Sequence, residues 1–350
     1  YVNKIWNKSI VFYLNNFKNI QYSNISNTIT HTQIRMLNNN KLYICGHNKL
    51  ITLFIINHNW NNYTKSEIIN ILDNLQIKRT CCKLLMCKNN CTEKLNNFNI
   101  LHILKYTKNK NIKSYVLNLL DKNLIHIFLP LLINYIENDY DYSITYYIIE
   151  NCNNISLLIE LFFQMFIIIN NTNNDIYKKS LQLIKDNLIK NNFNKYHSII
   201  NSIKLINLLS NININNIKND IKNINNFIKN NTIYIPLNNE NIVESISEDI
   251  IIKNSNTKPL LIKIKFKNNT YKSILFKKED LRIDYIISKI ILLIKNILKT
   301  NKIDTNLITY NILPINSTSG LIEIIDDSYT LYDIKKNLKL SLQNFILNNN

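Results

Sequence analysis

Along most of this chain apolar residues return every three or four positions, and over its last third they return every second one. From Lys49 to about Ile169 the spacing is helical throughout. Leu53, Ile56 and Trp60 repeat on one face, followed by Ile68, Ile71, Leu72 and Leu75, then Leu84 and Leu85, then Val116, Leu119 and Leu120. Polar turns such as HNWNNYT and TKNKN separate segments of roughly 10–15 residues, the layout of stacked helix pairs in an α-helical solenoid. No period is strict enough to name a repeat. The run ISLLIELFFQMFIII is broken by Glu160 and Gln164 and is read as a helix buried on most sides. No apolar run reaches the ~18 residues expected of a membrane span. Residues 1–44 are Asn/Thr-rich and irregular. Residues 170–232 form a bridge with two polar helices, 177–190 and 196–209, and then an Asn/Ile/Lys stretch.

At Ile233 the period changes. TIYIPL is predicted as a strand. LLIKIKFKNNTYKSILFK is a hairpin, with Ile262, Ile264 and Phe266 on one face and Lys263, Lys265 and Lys267 on the other. The pair Asn268-Asn269 suits the positive φ of a tight turn. LRIDYIISKIILLIKNILKT is an amphipathic helix whose buried stripe is expected to be Ile287, Ile290, Ile291, Ile294 and Leu298. Two short strands come next, YNILPI and LIEII. The fold class expected is α+β and multidomain.

Composition sharpens a few positions. The chain has 350 residues, enough for two domains. It contains no Ala, two Gly and three Arg, against 39 Lys and very many Asn and Ile. Those preferences follow AT-rich codons, so neither the Asn runs nor the net charge of +18 by itself points to a prion-like segment or to nucleic acid. Residues that resist the bias stand where geometry or chemistry requires them, among them Gly320, Arg282, Pro259 and Pro314. Cys45, Cys81, Cys82, Cys87, Cys91 and Cys152 fit no secreted framework and no common zinc spacing. They are read as reduced thiols, those from Cys81 to Cys91 as buried helix residues. The N-terminus carries no signal peptide. The chain opens on Tyr1 and closes on an Asn run, and is read as a fragment.

Several words in the last third occur in a telling order: SNTKP, SILFK, DLRID, YNILP, GLIEII and SLQNFI. This sequence resembles the small lobe of the phosphatidylinositol 3-kinases, and among them the class III, vacuolar sorting type. The segments LITLFIINHNWNN, FLPLLINYIEND and the stretch 144–166 resemble that family's accessory helical domain, in which a tryptophan ends the first helix as Trp60 does here. The resemblance divides the chain into an irregular segment 1–44, an accessory helical domain 45–169, a helical bridge 170–232 and a catalytic-domain small lobe 233–350, with the large lobe absent.

The resemblance implies a role for each word. Ser255 and Lys258 would belong to a short phosphate loop that is not glycine-rich; an ordinary solvated turn is the plainer reading. Lys277 would be the ATP-binding strand lysine, though it is one of 39. Asp284 would sit at a helix start and help hold Lys277, or be a simple acidic cap. Here Ile283 replaces the Gln of the family's DLRQD, and the loop before it is one residue shorter. Tyr310 would complete a network with Asp284, or be a core aromatic. The Glu323 carbonyl and the Ile325 N–H would read adenine at the hinge, with Gly320 permitting the turn before that strand.

The activity that the resemblance implies is that of a phosphatidylinositol 3-kinase, which transfers the γ-phosphoryl of ATP, with Mg2+ or Mn2+, to the inositol 3-hydroxyl. The expected setting is endosomal sorting and autophagy signalling. It would be cytoplasmic and peripheral on endosomal or vacuolar membranes, where it meets phosphatidylinositol, a protein-kinase-like regulatory subunit and a sorting complex. The 350 residues contain no Asp-Phe-Gly and no catalytic loop with an Asp base, so no catalytic residue is assigned and the chain as written is not expected to catalyse. A phosphatidylinositol 4-kinase shares these words. A helical scaffold with a relict kinase lobe is a non-enzymatic alternative. A nucleic-acid partner is not expected, because the basic residues are scattered and fit no recognised motif.

Overall fold

The computed structural model describes residues 31–39, 48–76, 95–237, 241–253, 255–326 and 328–348. Cys45, Leu84, Leu85 and the cysteines from Cys81 to Cys91 lie outside the described residues. The chain forms two compact units, one of residues 1–152 with 174–184, the other of 153–173 with 185–350. The architecture is α+β, compatible with a helical domain plus a small sheet lobe.

The described part of the first unit is helical. Its elements are α1 (His31–Asn39), α2 (Asn48–Asn57), α3 (Lys65–Gln76), α4 (Asn97–Tyr106), α5 (Lys110–Leu119), α6 (Ile125–Tyr135) and α7 (Ser143–Asn151). The helix at His31–Asn39 lies in a segment that the sequence pattern leaves irregular. Helices two places apart pack on each other, α2 on α4, α3 on α5, α4 on α6 and α5 on α7, and so do the neighbours α1 and α2, α4 and α5, and α6 and α7. Between them Ile51, Phe54, Ile100, Ile103, Val116, Leu129 and Ile148 are buried. Trp60 lies just past the end of α2, where its indole N–H donates to the Ile55 carbonyl at 2.8 Å and its ring meets Phe54 and His58.

Sequence periodicity holds no sign of one polar anchor in this unit. Lys113 on α5 is buried and pairs with buried Asp139 at 3.1 Å. The second carboxylate oxygen of Asp139 accepts the N–H groups of Ile144 and Thr145 at 2.8 and 3.2 Å, which satisfies the start of α7. A buried charge is tolerated when it is both paired and hydrogen-bonded in this way.

The second unit begins with α8 (Ile155–Thr172) and contains α10 (Phe193–Ser210) and α11 (Ile217–Lys229), while α9 (Asp175–Asn191) spans the boundary. Helix α8 has 18 residues and, by length and composition, is apolar enough to cross a membrane. Its Leu157, Leu158, Ile159, Leu161, Phe162, Phe163, Met165 and Ile167 are instead buried within the protein. Helix α11 is not expected from the sequence pattern. Its Asn/Ile/Lys composition hides a stripe of Ile221, Ile224 and Ile228, and all three are buried.

The sheet has strands β1 (Val243–Ile246), β2 (Ile251–Ile252), β3 (Leu260–Phe266), β4 (Tyr271–Lys277), β5 (Ile312–Pro314) and β6 (Gly320–Glu323). They run antiparallel in the order β1-β3-β4-β6-β5, with β2 also beside β3. The β3–β4 hairpin has the expected faces, with Leu260, Ile262, Ile264 and Phe266 buried. Only Asn269 of its turn has positive φ, 61°, because the Asn269 N–H closes a tight turn onto the Phe266 carbonyl and a single left-handed residue then restores the ladder. TIYIPL is not a strand. It makes one isolated bridge, Tyr234 to Ile242, although Ile233, Ile235 and Leu237 are buried. Edge strand β1 is capped by Asn225 of α11, whose side-chain amide bonds both the N–H and the carbonyl of Ile246, at 2.8 and 2.9 Å.

Helix α12 (Arg282–Thr300) departs furthest from its sequence reading. Only Tyr285 is buried along it. Ile287, Ile290, Ile291 and Ile294 of the expected buried stripe are exposed, as are Ile283, Ile286 and Ile297, and Leu298 is only half-buried. The helix turns its Tyr285 and Lys289 side inward, so the isoleucine arc points away from the core of this unit. A helical period reveals that a stripe exists; it does not say what covers the stripe.

Candidate functional site

Strands β2 and β3 are joined by the loop that carries Ser255 and Lys258. The loop is folded by hydrogen bonds from Lys258 N–H to the Ser255 carbonyl and from Lys253 N–H to the Pro259 carbonyl, at 3.0 and 2.9 Å. Lys258 has φ of 43°, a left-handed conformation rare for a residue with a side chain. Ser255 Oγ and Thr257 Oγ1 lie 3.5 Å apart on the exposed rim.

The sheet register brings distant words to this end. Leu260 pairs with Phe276, so Lys277 stands one residue further on, level with the loop. Lys277 pairs in turn with Gly320 on β6, and Gly320 with Pro314 on β5. Strand alternation then sorts the faces. Leu261, Leu275, Ile322 and Ile312 share the face of Lys277. The first three are half-buried and leave an apolar strip beside the lysine.

Helix α12 begins over the same face. Leu281 and Tyr285, one helical turn apart, are buried with Ile312, and Ile322 packs against them. Three separate words, DLRID, YNILP and GLIEII, therefore close on one cluster. Gly320 is needed for this closure and not for a turn. It has no left-handed φ, and a Cβ there would lie 2.7 Å from Leu281 Cδ1 and 2.8 Å from the Leu313 carbonyl oxygen.

Asp284 and Tyr310 do come together. With Ile287, Ser288, Ile291 and Ile308 they line a notch of about 70 Å³, far smaller than a nucleotide-sized pocket. Asp284 is not the partner of Lys277. The lysine ammonium instead meets Glu279, two residues along the chain, at 2.6 Å. Arg282 and Asp280 form a forked pair, with Nε and Nη2 to the carboxylate at 2.9 and 2.7 Å, and this holds the Asp280 carboxyl below its ordinary value.

At the far end of β6 the Glu323 side chain is fully engaged. It pairs with Lys272 at 2.9 Å and accepts the Asn311 backbone N–H and side-chain amide at 3.0 and 2.8 Å. The Ile324 N–H donates to Ser273 on β4 at 3.1 Å. By alternation the Glu323 carbonyl and the Ile325 N–H share the other edge, past the end of β5. That edge lies three residues, about 10 Å, along the strand from Gly320. A larger open groove of about 620 Å³, bordered by Asn153, Asn192, Lys195 and Tyr234, contains none of these residues. It is open to solvent and lined mainly by polar side chains. Among the described residues no cluster of His, Cys, Asp and Glu could hold a metal ion.

No protein-family model matches the chain. A stretch of 89 residues is 33% identical to the phosphatidylinositol 3-kinase piki-1 of Caenorhabditis elegans. The similarity supports a phosphatidylinositol 3-kinase-like relationship. It spans 25% of this chain and 6% of that relative's length.

Sequence reasoning missed two polar residues here. Glu279 gives no signal beyond being acidic beside a lysine. Glu160 is visible only as an interruption of an apolar helix.

Proposed function

We propose that the sheet-bearing unit is the nucleotide-binding lobe of a phosphatidylinositol kinase that uses ATP to phosphorylate the inositol 3-hydroxyl. The observation that carries this reading is the closure of DLRID, YNILP and GLIEII on one cluster, on the sheet face that also holds Lys277. The half-buried strip of Leu261, Leu275 and Ile322 offers a surface for a flat base. The Glu323 carbonyl and Ile325 N–H supply a complementary acceptor and donor at its edge. Ser255, Lys258 and the loop N–H groups stand at the phosphate end, about one nucleotide's length away. Lys277 would exchange Glu279 for the more highly charged phosphates, and Asp284 with Tyr310 would flank it.

Among the described residues none is assigned as the general base or as a ligand of the Mg2+ or Mn2+ that this reaction uses. The partners that fit are membrane phosphatidylinositol and a regulatory subunit of a sorting or autophagy complex, with the protein peripheral on endosomal or vacuolar membranes. The SLQNFI word favours the 3-kinase over the 4-kinase reading.

Photolabelling with 8-azido-ATP tests the site. Saturable labelling of the 233–350 region, competed by ATP and strongly reduced in Lys277→Met, is the expected result. Labelling that ATP does not compete, or that Lys277→Met leaves unchanged, overturns it.

A further inference from the structure

Helix α8 is apolar on most sides, yet Glu160 occupies its middle with only 13% of its side chain exposed. Its Oε1 accepts the Tyr285 hydroxyl at 2.5 Å and pairs with Lys289 Nζ at 2.8 Å. Lys289 Nζ also lies 5.2 Å from the Tyr285 ring centroid, so the three groups close on one another. Tyr285 and Lys289 are neighbours at i, i+4 on α12 and present one side of that helix to α8. Burial, and then the Glu160 charge, pushes the Tyr285 hydroxyl well above its ordinary pKa, so it stays a donor.

A carboxylate within an apolar helix carries a desolvation cost that a leucine would avoid. What it supplies is direction. Apolar packing alone lets α12 slide or rotate by a fraction of a turn, whereas two short polar contacts fix both its height and its rotation. Tyr285 is also the residue next to Asp284, and its ring lies in the cluster of Leu281 and Ile312 that faces the sheet.

We propose that Glu160 is a positioning residue for the nucleotide site, holding the first turn of α12 through Tyr285 and Lys289 so that Asp284 is kept beside Tyr310. This rests on the nucleotide-lobe reading above. It extends the site to a helix that carries none of its proposed ligand contacts.

Two mild variants of the whole chain test it. Glu160→Gln keeps the shape and an acceptor for Tyr285 while removing the charge opposite Lys289. Tyr285→Phe removes one hydroxyl. For each, hydrogen exchange over residues 282–292, affinity for a fluorescent ATP analogue and the melting temperature are measured, the first two well below the melt. The expected result is faster exchange in the first turns of α12 and affinity weakened by about 10-fold, the loss of one charge-assisted contact. The double variant should lose less than the sum of the two single losses, since both changes act on the one carboxylate that Tyr285 and Lys289 share. A lower melting temperature with unchanged affinity and unchanged α12 exchange overturns the proposal and leaves a purely structural pair. If the wild-type chain binds no nucleotide, the nucleotide reading fails. Exchange then decides the positioning claim by itself, and unaltered protection of α12 overturns it.

Discussion

Gly320 and Leu281 approach so closely that a single added methyl would overlap both the leucine side chain and the Leu313 carbonyl oxygen. Leu281 can rotate, but the Leu313 backbone cannot move without disturbing the β5–β6 ladder. Gly320→Ala is therefore expected to destabilise the sheet-bearing unit by about 1–3 kcal/mol, the range for overpacking a filled core. Adding Leu281→Ala should recover only part of this loss, because the carbonyl contact remains. Urea titrations of the single and double variants check it, and full recovery in the double variant would show that the backbone contact does not matter.

Lys258 has the positive φ that glycine adopts freely. Lys258→Gly relieves about 1 kcal/mol of local strain but gives up a similar amount in backbone entropy. Stability should hold within ~0.5 kcal/mol. Affinity for the ATP analogue should fall, since the proposed phosphate loop loses a cation. An unchanged affinity would remove Lys258 from the site.

The isoleucines on the outer face of α12 offer a contrast between pattern and packing. Ile290 and Ile294 are 50% and 46% exposed. Replacing either with Lys should cost under ~0.5 kcal/mol, the usual range for surface changes. A buried stripe would instead lose about 2–5 kcal/mol on truncation of each side chain. Thermal melts of the two single variants distinguish these outcomes, and a large loss would mean that this face is covered in solution.

Helix α3 starts with a reciprocal cap. Glu67 accepts the Thr64 N–H and hydroxyl, both at 2.8 Å, while the Thr64 hydroxyl accepts the Glu67 N–H at 3.3 Å. The Thr64 backbone N–H, and then its hydroxyl, hold the Glu67 carboxyl below its ordinary value of 4.5. A depressed carboxylate stabilises the fold above that ordinary value and loses the contribution as pH falls through the lower, folded one. The stability advantage of wild type over Glu67→Ala should therefore be constant from neutral pH down to mild acid, then shrink below pH 4.5. Urea midpoints across that range measure it; an advantage that persists undiminished in strong acid would mean that the charge plays no part.

The hairpin is legible in the sequence because its alternation is strict and its turn is short. Leu260 to Phe266 could lie in only one register without turning lysines into the core. The words DLRID, YNILP and GLIEII mark the candidate site, and a retained glycine in a glycine-poor chain marks its closest approach. Helix α11 is obscured because Asn and Lys carry little directional signal between its three buried isoleucines. TIYIPL reads as a strand because burial and alternation look alike over six residues.

The sequence by itself determined the local elements, since periodicity and turn chemistry act within a few residues of each other. It also determined which residues gather at the loop end of the sheet, since strand register depends on which side chains must be buried. Only the tertiary structure decided partners. The isoleucine face of α12 turns outward as Tyr285 and Lys289 meet Glu160, 125 residues from Tyr285 in the chain, and DLRID closes with YNILP and GLIEII on one cluster. Such choices depend on distances between elements far apart in sequence, and no local pattern records them.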